Sequence, residues 1–229
     1  MASLEFAVGA LSCKGGIVPG IFEPQAETYI NSLLPARDAV LRKMERYAGK
    51  HKVPIVGPAC GRVLQQLALL IRARRVFEMG SAIGYSTLWL ARAVGPRGKV
   101  YYTDGNPTNA ERAQAYLREA GVAERVEFLV GDALESFQAT GGQFDLIFND
   151  VSKKQYPEAF KLAVPRVRVG GLFITDNVLW SGRVARPAAA SDQETRTMQK
   201  FNRLIYKSPE LLTTIIPLRD GLAVCLKKG

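Results

Sequence analysis

The chain has 229 residues, room for one α/β domain with a proper core but not for two comfortable ones. Hydrophobic residues make up 47%, no apolar run approaches the roughly 20 that span a bilayer, and the three cysteines (Cys13, Cys60, Cys225) are too scattered for a disulfide framework or zinc site, so a cytoplasmic protein with no membrane partner is expected. The net charge is +10, but the Lys and Arg residues are spread and nowhere interleaved with aromatics, which reads as solvated surface rather than a nucleic-acid groove.

Residues 1–23 are Gly-rich and weakly patterned and read as an arm, without the basic segment of a signal peptide. Residues 24–47 carry helical apolar spacing, and Pro35 inside that stretch predicts two helices rather than one. Pro58 opens another helix, a position where proline is tolerated. A repeating rhythm follows, with strands at 75–79, 98–103, 126–130, 144–148 and 171–175 and helices at 85–93, 107–120, 133–138 and 157–163 between them. A helix at 193–206 precedes strands at 211–217 and 222–227, which are separated by the tight-turn signal Arg219-Asp220-Gly221. Alternating strands and helices imply a parallel sheet covered on both faces, and a tight turn between the last two strands makes them antiparallel. The expectation is an α/β, Rossmann-like, doubly wound, mostly parallel seven-stranded sheet with one antiparallel edge strand. Residues 1–57 form an N-terminal helical extension, and 58–229 form the core of a single domain.

The first strand runs into Glu78-Met79-Gly80-Ser81-Ala82-Ile83-Gly84-Tyr85-Ser86. Small residues in such a turn let backbone approach a ligand, and the helix start offers free N–H groups. The G-x-G-x-x-G of a dinucleotide site is absent, since Ala82 stands between Gly80 and Gly84. The next strand ends at Asp104, about 20 residues on, where a carboxylate can accept from ribose hydroxyls. Asp132 follows the third strand; a lone Asp there also suits a helix cap. All three signals fall on the carboxyl edge, where such sheets bind ligands.

The chain resembles the small cation-dependent O-methyltransferases of the caffeoyl-CoA and catechol type, including their bacterial members. The resemblance runs from about residue 54 to the C-terminus and rests on FEMGSAIGYSTLWLA, TDGNP, GDALE, DVSKKQY, TDNVLWSG, KFN and DGLAVCLKK. It implies that Glu78, Gly80, Ser81, Tyr85 and Ser86 surround the methionine part of S-adenosylmethionine (SAM). Asp104 would hold its ribose, Asp132 and Ala133 its adenine, and Asp150 would border it, while Tyr156 either contacts it or packs. A homodimer joined through the N-terminal helices is also implied. Ala82 stands where a third glycine often sits, and its methyl should be tolerated because no pyrophosphate must pass.

The fourth strand runs out at Asp150 and the fifth at Asp176-Asn177. Neighbouring side chains on a regular strand point to opposite faces, so this last pair can act together only where the strand breaks into a loop. Two carboxylates and an amide oxygen are hard ligands, suited to Mg²⁺ first, and to Mn²⁺ or Ca²⁺, rather than to zinc. In the resembled family these three match the metal ligands, and the substrate is a small vicinal dihydroxy aromatic. Lys153 lies three residues beyond Asp150 and matches the general base. A lysine in water is a poor base at neutral pH, but a nearby cation and partial desolvation favour its neutral form. Lys154 is expected to face solvent, and Ser152 stands where relatives often carry a second Asp. Trp180 is either a wall for an aromatic ring or a core residue. The only histidine, His51, has no partner motif and reads as incidental. Two alternatives remain: an RNA methyltransferase, suggested by the charge, and a non-catalytic SAM-binding protein.

Overall fold

The structure is a computed structural model that describes residues 24–229; the predicted arm at 1–23, with Cys13, lies outside the described residues. Along the chain run α1 (Pro24–Ser32), α2 (Ala39–His51), α3 (Gly57–Leu70), β1 (Arg75–Met79), α4 (Tyr85–Ala93), β2 (Lys99–Asp104), α5 (Pro107–Glu119), β3 (Val126–Val130), α6 (Ala133–Ala139) and β4 (Phe144–Asn149). Then come α7 (Tyr156–Ala163), β5 (Val167–Thr175), α8 (Gln193–Lys207), β6 (Leu211–Ile216) and β7 (Leu222–Lys227). Pro35 falls between α1 and α2, in the predicted break. The Asp38 carboxylate starts α2 by accepting from the N–H groups of Val40 and Leu41.

The seven strands lie in the order β3-β2-β1-β4-β5-β7-β6. The five strands β1 to β5 are mutually parallel, and β7 runs against both of its neighbours. The reversed strand therefore stands one place in from the edge, with β6 outside it. Burial explains the order: β7 hides Leu222, Ala223 and Cys225, whereas β6 leaves Leu212 exposed and suits an edge. Strand β5 begins at Val167, four residues before the predicted 171. Val167 pairs with Phe144 across a register shift, and Gly170 with Gly171 interrupts the apolar pattern that marks a strand in sequence.

Helices α2 to α5 pack on one face, around Leu41, Met44, Leu64, Leu88 and Leu117. Helices α6 to α8 cover the other, around Phe137, Phe160, Phe173 and Phe201. The amino ends of three neighbouring strands are fastened by Asp145. Its carboxylate accepts from the N–H groups of Arg74 (2.8 Å) and Arg75 (2.7 Å) and from the Arg168 guanidinium. Strand order reverses between β1 and β4, so their carboxyl ends open a crevice at the topological switch point, where sheets of this kind hold ligands.

Candidate active site

At the end of β1 the chain must turn while crossing the end of β4. Gly80 makes this crossing: it has φ +85, and a Cβ there would stand 2.6 Å from the Asp150 carbonyl oxygen. Thr103 and Asp104 on β2 hold the turn. Ser81 N donates to Thr103 O (2.8 Å), Gly80 N to Thr103 Oγ1 (3.2 Å) and Ala82 N to Asp104 Oδ2 (3.1 Å). Gly84 caps α4 without a side-chain acceptor. A cavity of about 570 Å³ opens along this edge, walled by Gly80, Ala82, Asp104, Asn109, Asp150 and Asn177. Glu78 lies beneath the turn, fully buried; one carboxylate oxygen accepts from Thr87 and the other has no partner. Burial raises its pKa, against the nearby hydroxyls of Ser86, Thr87 and Ser81.

Asp150, Lys153 and Asn177 line this cavity, and the buried Asp176 lies close enough for its charge to act on Asp150. The Lys153 ammonium donates to Asn177 Oδ1 (2.8 Å) and to the Tyr156 hydroxyl, and lies 3.5 Å from Asp150 Oδ1. Tyr156 passes the connection on, donating to the carbonyl of Asp176 (2.9 Å). Asn177 has φ 57, in the left-handed region that Asn tolerates. That single residue supplies the required strand break and brings two adjacent side chains to one place. Both carboxyls are pushed to higher pKa, first by desolvation; the Asp176 charge adds to this at Asp150, and the Asp220 charge does so at Asp176. Asp176 is 1% exposed, and its Oδ1 has no hydrogen-bond partner. Buried, mutually repelling oxygens with an unused acceptor fit a divalent cation. Among the described residues no three His, Cys, Asp or Glu gather; beside the two carboxylates the amide oxygen of Asn177 is the further hard donor.

The other predicted residues take the following places. Tyr85 contributes backbone to the turn, but its side chain is buried and donates to Glu45 on α2 (2.8 Å). Asp132 caps α6 through the N–H groups of Leu134 and Glu135, beside Ala133, and its other oxygen accepts from Gln155 (3.2 Å). Tyr156 is fully buried against Phe201, so it touches Lys153 and Asp176 rather than the cavity. Ser152 donates to Gln155 (2.8 Å), and Lys154 is exposed, as expected. Trp180 is half-buried under the Arg183 guanidinium, 4.4 Å above its ring, with the Lys153 ammonium 5.8 Å away. His51 stacks on Tyr47 at the end of α2.

In sequence Arg219-Asp220-Gly221 is a tight-turn signal whose last two residues open the motif DGLAVCLKK, with no role at the site assigned to them. In the structure it braces the loop after Asn177. Val178 N donates to Gly221 O (3.1 Å), Leu179 N to Asp220 O (2.8 Å) and Ser181 N to the Asp220 carboxylate. Gly221 leaves room for Leu179, and Arg219 lies 3.6 Å from Asp176 Oδ2. A turn motif carries no sign of which loop it will touch.

The family model described as O-methyltransferase matches residues 34–228. A catechol O-methyltransferase from Mycobacterium tuberculosis is 33% identical over 211 residues, spanning 89% of this chain and 95% of the relative. Caffeoyl-CoA O-methyltransferase 1 of Eucalyptus globulus is 31% identical over 206 residues, spanning 85% and 84%. The O-methyltransferase TomG from Streptomyces achromogenes, solved in complex with SAM, superposes with a TM-score of 0.81 at 31% identity over 90% of this chain and 96% of that one. The fold, the crevice at its switch point and these likenesses agree. The chain belongs to the O-methyltransferase family, and it is a SAM-dependent enzyme of the catechol and caffeoyl-CoA type.

Proposed function

We propose that the enzyme methylates one hydroxyl of a small vicinal dihydroxy aromatic, with a divalent cation held by Asp150, Asp176 and Asn177 and Lys153 as general base. The observation that carries the reading is the unpartnered, buried Oδ1 of Asp176 beside Asp150, Asn177 and Lys153. The relatives' names, catechol and caffeoyl-CoA O-methyltransferase, support the substrate class and weigh against RNA methylation and against a non-catalytic role.

SAM supplies a methyl on a positively charged sulfur. A bound Mg²⁺, or Mn²⁺ or Ca²⁺ in its place, supplies Lewis acidity that makes a hydroxyl easier to deprotonate. The protein does the rest. Asn177 Oδ1 and the Tyr156 hydroxyl aim the Lys153 amine at the site, where it takes the hydroxyl proton. With SAM bound, the methyl would pass to that oxygen as its bond to sulfur breaks, and the donor would leave as a neutral thioether. The turn 80–84 fixes the donor on one side, and Trp180 offers a wall to the aromatic ring. Holding two reactants in near-attack geometry supplies up to about 7–11 kcal/mol in favourable systems, so no covalent intermediate with the enzyme is needed. The same reading expects a cytoplasmic homodimer.

Asp176→Ala tests the metal role. Calorimetric Mg²⁺ binding should vanish and kcat should fall at least about 100-fold, while affinity for S-adenosylhomocysteine stays within about threefold. Full activity in this variant would refute the assignment.

A further inference from the structure

Glu45 lies on α2, outside the motifs of the cofactor turn and of the strand ends, yet it reaches that turn. Its side chain is 20% exposed and its carboxylate holds two partners. Arg37 Nε donates to both oxygens (3.1 and 3.2 Å), and the Tyr85 hydroxyl donates to Oε1 (2.8 Å). Tyr85 is 1% exposed. Burial first, and then the Glu45 carboxylate, hold its phenol above the ordinary range, so the hydroxyl stays a donor. A hydrogen bond to a charged acceptor is among the stronger kinds. The ring itself packs edge-on against Trp89, with centroids 6.4 Å apart, so its place in the core does not depend on the hydroxyl.

Tyr85 is the first residue of α4, so whatever holds it also holds the downstream end of the turn. Three residues of the turn take left-handed backbone: Gly80 (φ +85), Ala82 (φ +45) and Gly84 (φ +81). Ala82 carries a Cβ, and a side chain in this region persists where the surroundings demand it. The upstream half is tied to β2. Downstream, Thr87 donates to Glu78 beneath the turn and Tyr85 donates to Glu45 on α2. Gly84 brings no side chain to cap α4, which leaves the first N–H groups of the helix for a ligand. The end of α2 meets the same cavity. Lys52 closes the helix with its N–H on Ala48 O, and Lys52, Val53 and Pro54 join Gly80, Ala82 and Asp104 in its wall. Two turns of helix, about 10 Å, separate Glu45 from Lys52. Helix α2 therefore meets the donor site at two points.

We infer that Glu45 is a positioning residue for the methyl donor: by holding the Tyr85 hydroxyl it fixes the downstream half of the cofactor turn, which makes α2 a working part of the donor site. This rests on the SAM-dependent family assignment and not on the cation or the acceptor.

The test is calorimetric binding of S-adenosylhomocysteine to the full chain, in wild type, Tyr85→Phe, Glu45→Ala, the double variant of these two, and Glu45→Gln. Loss of the link should weaken binding about 5- to 50-fold in each of Tyr85→Phe and Glu45→Ala. The double variant should bind within about twofold of the weaker single one, because the two groups act as one unit. Glu45→Gln keeps an acceptor for the hydroxyl and loses only a partly exposed ion pair with Arg37, so its affinity should return to within about threefold of wild type. Asp38→Ala removes the N-cap of α2 without touching Tyr85. It should lower the melting temperature and leave affinity within about twofold. Unchanged binding in Tyr85→Phe, losses that add in the double variant, or no recovery in Glu45→Gln overturns the proposal. So does a loss in Asp38→Ala equal to that in Glu45→Ala, which would reduce Glu45 to a brace of the helix.

Discussion

Gly80 and Asn177 show how single residues build this site through backbone conformation. Gly80→Ala would force a Cβ to within 2.6 Å of the Asp150 carbonyl at φ +85, so the turn and the end of β4 must separate. Affinity for S-adenosylhomocysteine should fall at least about fivefold, since strain of this kind costs about 1–3 kcal/mol; wild-type affinity in calorimetry would contradict the crossing. Lys153→Met should lower kcat by about 100- to 10,000-fold with cofactor affinity unchanged, as expected for loss of a general base. Single-turnover kinetics check this, and a defect confined to KM would contradict it. That Asp150, Lys153, Asp176 and Asn177 come together was legible because each falls at or just past a strand end; the roles proposed for them come from the family resemblance. The side-chain roles of Tyr85 and Asp132 were not. A turn tyrosine can point either into the groove or back to Glu45, and a strand-end carboxylate serves equally as a helix cap. Only packing decides between them.

The elements carry the stability that holds these residues still. Burial alone would raise the pKa of Asp145, but the Arg168 guanidinium and the N–H groups of Arg74 and Arg75 outweigh it and hold the carboxyl below its usual range. A carboxyl more acidic in the folded than in the unfolded state stabilises the fold fully above about pH 4, and its contribution is lost as pH falls through the folded value. Asp145→Asn should therefore cost about 1–3 kcal/mol at pH 7, and the gap from wild type should narrow toward pH 3. Urea unfolding at both pH values measures it, and a gap unchanged with pH would contradict the fastening role. Helix α8 buries Met198, Phe201 and Ile205 against the face that also holds Tyr156. The helices and the first four strands could be read from periodicity and punctuation. The start of β5 and the order of β6 and β7 could not. Gly170 and Gly171 hide the former, and the latter depends on which of two similar apolar strands has both faces covered.

At the scale of the whole molecule, the crevice between β1 and β4 lies beside the loop braced by the β6–β7 turn, so the residues proposed to serve donor, acceptor and base share one edge of the sheet. Because a ligand of the folded state stabilises by mass action, S-adenosylhomocysteine at 100 times its Kd should add about 2.7 kcal/mol and raise the melting temperature by roughly 5–10 °C for a chain of this length. Calorimetric melting without any shift would contradict a cofactor site in the crevice. The central claim is that a cation at Asp150, Asp176 and Asn177 presents a catechol hydroxyl to the methyl donor. Methyl transfer from SAM to 3,4-dihydroxybenzoate and 4-methylcatechol, followed by mass spectrometry with Mg²⁺ and then with excess EDTA, tests it most directly. The account predicts a singly methylated product that forms with Mg²⁺, disappears with EDTA and returns when Mg²⁺ is restored; methylation at the same rate in EDTA would contradict it.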